Sequence, residues 1–173
     1  RDPPGLQMLH CVAQAEEGGE NTFVDGFNAL GTLRSDHPDA FDFFASTSLP
    51  FYCVDLPVHL KMVSPVIDFG YSCDDDDTRA ASRREVTQLR FNNSDRGVLS
   101  HLSPNQIQNF YEYWPLLSSL IHDEGAILKF RMSPGDVVIF DNHRVLHGRE
   151  SFVGFRNMLG CYFDRDEWES RLR

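Results

Sequence analysis

Apolar residues along this chain fall mostly into short runs, and glycine, proline or polar clusters break them. The run "LQMLHCVAQ" (6–14) predicts a strand, and "EEGGEN" (16–21), with its glycine pair, a turn. "TFVDGFNALGTLR" (22–34) starts extended and becomes helical. "HPDAFDFFAST" (37–47) predicts a short helix with Phe41, Phe44 and Ala45 on one face. "PFYCVDL" and "HLKMVSPVIDF" are β-branched and interrupted by proline, as strands at a sheet edge are. "EVTQLRFNN" (85–93) alternates and reads as a strand. One long helical period occurs, in "SPNQIQNFYEYWPLLSSLIHDEG" (103–125). There Ile107, Phe110, Tyr111, Trp114, Leu117 and Ile121 recur at helical spacing. Ser103 and Gln106 form a capping box, Pro104 suits the first turn, and Pro115 is expected to kink the helix. "AILKFRM", the turn "SPGD" and "VVIFDN" predict a β-hairpin. "RNMLGCYF" (156–163) is a further strand, and "RDEWESRLR" a short charged helix. No βαβ alternation is visible, so the fold class expected is mostly β with flanking helices, a sandwich or jelly roll.

Composition narrows the function. The chain has 173 residues, enough for one sizeable core, and 41% are hydrophobic, which argues against disorder. A formal net charge of −10 weighs against a nucleic-acid partner, which needs clustered Lys and Arg. No apolar run approaches the ~20 residues of a membrane span, so no membrane partner is expected. The four cysteines form no CxxC pair, which excludes a zinc knuckle and suggests reduced thiols in a non-secreted protein. "CDDDDTRAASRR" (73–84) reads as a solvated loop, since it lacks the spacing and glycine of a calcium loop.

The candidate chemistry lies in "DNHRVLHGRESFVGFR" (141–156), where His143 and His147 stand four apart. A zinc-protease helix would need a glutamate after the first histidine, and Arg144 cannot serve as a base. The preceding "VVIF" favours a strand, on which Asp141, His143, Val145 and His147 would share one face if it stayed regular. Arg156 follows His147 by nine positions, at the start of the next apolar strand. A histidine and an arginine projecting from neighbouring strands into one barrel mouth suit a metal and a carboxylate. Neutral imidazole binds the metal, and a guanidinium clamps the far carboxylate of a chelating dicarboxylate. Non-haem iron sites of two histidines and one carboxylate use such a ligand.

The anchors "PPGLQMLHC", "GGENTFVDGF", "LRFNNSDR", "MSPGDVVIFDNHRVLHGRESF" and "FRNMLGCYFDRD" resemble the γ-butyrobetaine and trimethyllysine dioxygenases. These belong to the wider taurine-dioxygenase-like group, and the resemblance runs along essentially the whole chain. It implies a double-stranded β-helix, or jelly roll, here incomplete at its N-terminus. It further implies Fe(II), 2-oxoglutarate and O2, with hydroxylation of a trimethylammonium amino acid or betaine on the route to carnitine. By resemblance, His147 is an iron ligand and Arg156 binds the remote carboxylate of 2-oxoglutarate. Asn93, or its neighbour Asn92, is a polar contact to the cosubstrate, and Leu9 lines the same pocket. Tyr162 helps to cage the trimethylammonium group, which cannot donate hydrogen bonds and is recognised by aromatic faces. No catalytic residue beyond these metal and cosubstrate ligands is implied. The resemblance also implies a homodimer and an intracellular protein, cytoplasmic or mitochondrial. The His147–Arg156 gap and "GFRNMLGCYFDRD" look more like the trimethyllysine enzymes, whereas "ESRLR" looks more like the butyrobetaine ones.

The sequence departs from the pattern twice. Asn21 stands where the family's turn carries a threonine, so that hydroxyl contact to the cosubstrate does not carry over. The family's other two iron ligands come from an HxD motif shortly before "PPG", a place that falls before Arg1, and the HxD tripeptide His37-Pro38-Asp39 of this chain does not stand there. The chain opens at "RDPPGLQML" without a methionine, so residues 1–173 are expected to be a single oxygenase catalytic-domain region. Its HxD segment and N-terminal domain are then expected to lie upstream. The alternative is a non-catalytic relative or fragment, acting as a binding or assembly module.

Overall fold

A computed structural model describes residues 3–55, 57–70 and 85–172, so the acidic run expected to be a loop lies outside the described residues. In chain order, β1 (Leu6–Ala13), β2 (Glu17–Gly18) and β3 (Asn21–Asp25) precede α1 (Gly26–Asp36) and α2 (Pro38–Ser46). Then come β4 (Ser48–Asp55), β5 (Val58–Pro65), β6 (Ile67–Phe69), β7 (Val86–Leu89) and α3 (Pro104–Ile121). β8 (Ile127–Phe130), β9 (Val137–Asp141), β10 (Val145–Arg149), β11 (Phe152–Val153), β12 (Asn157–Phe163) and α4 (Arg165–Leu172) complete it. The chain divides into two compact units, one of Gly26–Ile121 and one of Pro3–Asp25 with His122–Arg173.

In the helical unit, α1, α2 and α3 pack on one another, beside the antiparallel pairs β4–β5 and β6–β7. Proline ends α1 and starts α2. Pro38 sits in the first turn of α2, and His37 before it takes a non-helical φ of −138°, as a residue preceding proline does. The capping box at α3 forms as expected. The Ser103 backbone N–H donates to Gln106 Oε1 at 3.0 Å, and the Gln106 N–H donates back to Ser103 Oγ at 3.3 Å. Phe110, Trp114, Leu117 and Ile121 bury one stripe of α3, but Tyr111 is exposed. One residue along an α-helix turns by about 100°, which carries Tyr111 off the stripe that Phe110 begins.

The core of this unit includes Leu30, Leu33, Phe41, Phe44, Phe110 and Leu117, all essentially inaccessible to water. The Phe44 ring lies 5.4 Å from Phe43 and 5.9 Å from Trp114, both edge-on. Phe44→Ala is expected to destabilise the protein by about 3–5 kcal/mol, because a packed core closes only partly over the lost ring. Tyr111→Ala should stay within ~0.5 kcal/mol. Denaturant midpoints of the two variants check both values.

The β unit holds two three-stranded antiparallel sheets, ordered β12-β1-β9 and β10-β3-β8, with the short pair β11-β2 beside them. Phe140 of β9 meets Phe23 of β3 edge-on, with centroids 5.3 Å apart, so the two sheets pack face to face. The hairpin expected around "SPGD" does not form. The turn itself is made, with the Ser133 N–H on Asp136 Oδ2 and Gly135 at φ +97°. Its two strands part, however, β8 pairing with β3 and β9 with β1. β1 captures the turn from the side, since Cys11 donates to the Asp136 carbonyl and accepts from the Gly135 N–H, both at 2.9 Å. Passing from one sheet to the other at a turn is what makes a jelly roll.

The opening of β10 differs from expectation for a related reason. The strand does not run on from Asp141 to His147. Residues 142–144 form a turn, closed by the His143 N–H on Asp141 Oδ1 at 2.9 Å. Asp141 therefore ends a strand of one sheet, and His147 lies in a strand of the other. His143 has a structural role. Its Nε2 hydrogen-bonds the Pro3 carbonyl at 2.8 Å, while Asn142 holds the Pro4 and Gly5 carbonyls through its side chain and backbone, each at 2.9 Å. The glycine turn before β3 needs Gly18, whose φ is +68° and where a Cβ would fall on the Ser151 carbonyl oxygen.

Candidate active site

His147 sits mid-strand in β10, opposite Phe23 of β3. Its imidazole packs against the Phe140 ring of the facing sheet, with centroids 4.8 Å apart. The residue is exposed overall, yet this packing strips water from one ring face. Desolvation lowers the His147 pKa below its ordinary 6.5, against a smaller opposing pull from the Val145 backbone. The ring is thereby kept neutral, the form in which imidazole binds a metal. Below pH 6.5 the unfolded chain takes up a proton here before the folded one does, so this group removes stability as pH falls from 6.5 towards its folded pKa. Proton NMR of the metal-free chain should place the His147 ring transition below 6.5; a transition at or above that value contradicts the packing argument.

Arg156 immediately precedes β12 and is half-buried. Its terminal nitrogen donates to Asn21 Oδ1 at 3.0 Å, and its Nε is buried without a partner. Among the described residues no acid pairs with it. Burial first, and the charge of Arg149 second, push its pKa below the usual arginine range. A guanidinium stays charged through such a shift, so the site presents a cation that lacks its anion.

The arrangement differs in one respect from two neighbouring strands sharing a mouth. His147 belongs to the β10-β3-β8 sheet, while Arg156 leads into the other one, and Asn21 of β3 joins them. β11 lies between β10 and β12 in sequence, and the two flanking strands go to different three-stranded sheets.

Leu9 and Tyr162 fall on the same face as Phe140, by strand alternation and register. Leu9 of β1 stands between Val138 and Gly160, and Gln7, two residues before it, stands between Phe140 and Tyr162. Gln7 Nε2 donates to the Tyr162 hydroxyl at 3.1 Å, which fixes an otherwise exposed ring. His147, Arg156, Leu9 and Tyr162 thus belong to the β unit. Asn93 belongs to the helical unit, exposed in the turn after β7. Asn92 is engaged within that turn, donating to Asp95 and accepting from the Ser94 N–H, each at 2.9 Å.

Asn21, Phe140 and Gln7 escape a reading of the sequence. Phe140 and Gln7 look like ordinary strand positions, and only register shows what they touch. Asn21 carried a signal, as the residue that stands where the family's glycine turn has a threonine.

The conserved-domain profile that matches residues 1–162 is described as "Taurine catabolism dioxygenase TauD, TfdA family". The chain belongs to the TauD/TfdA family. Among its relatives, human γ-butyrobetaine dioxygenase is 34% identical, over 99% of this chain and 43% of that protein. The trimethyllysine dioxygenase of Meyerozyma guilliermondii is 30% identical over 99% of this chain and 41% of its own length. The mitochondrial trimethyllysine dioxygenase of Rattus norvegicus is 30% identical over 96% and 38%. The chain therefore spans less than half the length of these curated relatives. Two solved structures carry the fold. A taurine dioxygenase from Burkholderia xenovorans superposes with a TM-score of 0.67 at 16% identity, covering 93% of this chain and 52% of that one. PvcB, an iron- and α-ketoglutarate-dependent oxygenase from an isonitrile synthetic pathway, gives 0.60 at 21% identity, covering 95% and 53%. The jelly roll expected from the strand pattern is the fold of this TauD/TfdA chain.

The residues present fit part of such a site. His147 offers one neutral imidazole, and Arg156 one unpaired cation for a carboxylate. Among the described residues no three His, Cys, Asp or Glu side chains cluster as a metal-binding set, so these residues offer a metal His147 without a complete set of donors around it.

Proposed function

We propose that this chain carries the cosubstrate and one metal ligand of an Fe(II)/2-oxoglutarate-dependent oxygenase. Its substrate would be a trimethylammonium amino acid or betaine, trimethyllysine or γ-butyrobetaine, hydroxylated on the route to carnitine. The observation that carries this reading is Arg156, buried in part without an acid and bonded to a side chain one strand from His147. In a family of dioxygenases, a guanidinium so placed suits the far carboxylate of 2-oxoglutarate. The relatives named for γ-butyrobetaine and trimethyllysine support the substrate class.

His147 would hold iron together with ligands outside its own cluster. Bound iron would supply the activation of O2 that the protein cannot perform alone. Arg156 would hold the cosubstrate's remote end, and Leu9, half-buried on the same face as Phe140, would close an apolar wall along it. Tyr162 would offer a ring, held by Gln7, to a quaternary ammonium. A protein of this kind would work inside the cell, in the cytoplasm or, as the rat relative's name has it, the mitochondrion; among the described residues no helix is long and apolar enough to cross a membrane.

The test is turnover. The whole protein with Fe(II), 2-oxoglutarate and O2 should release succinate with each trimethylammonium substrate it accepts, and the product should gain one oxygen by mass. Trimethyllysine and γ-butyrobetaine, assayed side by side, separate the two activities. Failure to form succinate with either, in protein that binds Fe(II), would favour a non-catalytic binding module.

A further inference from the structure

The helical unit carries a cleft of about 480 Å³, whose walls include Arg96, Val98, Leu99, Ser100, Ile107 and Tyr111. That volume suits a small-molecule site. The chain that leaves β7 builds one wall. Residues 95–97 are stapled to β4, since the Tyr52 N–H donates to the Asp95 carbonyl and the Gly97 N–H to the Pro50 carbonyl, both at 2.7 Å. Position 97 takes glycine because a Cβ there would fall on the Tyr52 ring. The backbone of Arg96 is thereby fixed opposite Phe51 of β4. Its guanidinium lies over two rings of α3, 4.9 Å from the Phe110 centroid and 5.7 Å from that of Trp114. Aromatic faces attract a cation, but they do not replace a hydrogen-bond acceptor. Arg96 Nε is buried with no partner, and among the described residues no acid pairs with this side chain. A buried donor left unpaired calls for an explanation. The rest of the cleft is apolar and open to water, with Val98 78% and Tyr111 64% exposed. A half-buried cation without its anion, edged by wetted apolar side chains, is the complement of an amphipathic anion.

We propose that this cleft binds an aliphatic carboxylate, with its head on Arg96 and its chain along Val98, Ile107 and Tyr111. The proposal is separate from the iron and 2-oxoglutarate reading and uses none of the residues assigned to it. A carboxylate accepts two parallel N–H bonds from the planar guanidinium fork, which a ring stack holds in place. The chain takes the apolar wall out of water, and each methylene it buries adds about fourfold in affinity. A small inorganic anion would gain only the first of these contributions, and a neutral chain only the second.

Titration calorimetry of the whole protein tests this with three probes, octanoate, octanol and inorganic phosphate. Octanoate should saturate one site and bind at least about tenfold tighter than either of the others. Octanol lacks the charge-assisted hydrogen bonds, and phosphate lacks the chain. Arg96→Met keeps an apolar stem over the two rings and removes the charged head. It should weaken octanoate at least about tenfold and leave octanol within about twofold. Val98→Asp sets a like charge on the rim at an exposed position, so octanoate should again weaken at least about tenfold. The denaturant midpoint of Val98→Asp should match that of the wild type, because Val98 packs on little. This second variant decides the matter if Arg96→Met does not fold. Octanoate that does not saturate, or octanol or phosphate that binds as tightly, overturns the proposal. So does unchanged octanoate affinity in Val98→Asp or in folded Arg96→Met, which would leave Arg96 a purely structural stack on α3.

Discussion

Replacing His147 with alanine is expected to lower Fe(II) affinity by more than about 100-fold and to abolish 2-oxoglutarate-dependent turnover. Losing a partner that merely supports a ligand costs ~10- to 100-fold, and His147 is assigned to the metal itself. Its ring is suited to that assignment by packing. Phe140 covers one face at 4.8 Å, desolvation keeps the imidazole neutral, and the β10–β3 ladder fixes the backbone beneath it. His143→Ala is the matched control, since it removes a histidine four residues away whose Nε2 is spent on the Pro3 carbonyl. That variant should lose stability and keep its metal affinity. Competition binding with a coloured chelator reads both. Succinate release that survives His147→Ala would remove this residue from the metal site.

Arg156→Ala is expected to raise the 2-oxoglutarate requirement by about 30- to 4,000-fold. Removing one member of a partly buried, hydrogen-bonded charge pair costs about 2–5 kcal/mol, and each 1.4 kcal/mol is a factor of ten. The effect should fall mainly on the KM for 2-oxoglutarate, with a smaller change in the KM for the trimethylammonium substrate. Arg156→Lys should recover only part of the loss, because a single ammonium cannot reproduce the planar fork that reaches Asn21 and a carboxylate together. Steady-state kinetics with each substrate varied in turn makes the comparison. An unchanged requirement in Arg156→Ala would transfer the role to another cation, and Arg149 stands across the ladder from Asn21.

Local chemistry made much of the fold legible. Ser103 and Gln106 cap α3 where the capping box places its start, and Pro38 opens α2. The runs that alternate or carry β-branched residues became β1, β7, β9 and β12 within a few residues of their expected ends. Each of these features depends on neighbours in sequence. The failures have a common origin. "AILKFRM-SPGD-VVIFDN" has every mark of a hairpin, yet β1 takes β9 and β3 takes β8. A turn motif reports that the chain reverses, and it carries no information about which strand fills the next place in a sheet. The same limit hid the break at residues 142–144, where Asp141 caps the His143 N–H and the chain changes sheets.

For the site, His147 and Arg156 were candidates by residue type and spacing, because neutral imidazole suits a metal and a guanidinium suits a carboxylate. Leu9 and Tyr162 came only from resemblance, and register then put them on the face that carries Phe140. Asn21 could not be assigned a role in advance. Its oxygen meets Arg156 across a sequence separation of 135 residues, and its nitrogen is left without a partner, facts that exist only once the chain has folded. The sequence by itself determined which segments extend, which coil, and which side chains could bind a metal or a carboxylate, since those are properties of residues and their near neighbours. Tertiary structure alone decided which strands pair, which ring shields His147, and which amide faces Arg156. Those are contacts between distant residues, and strand pairing across two sheets is what sets them.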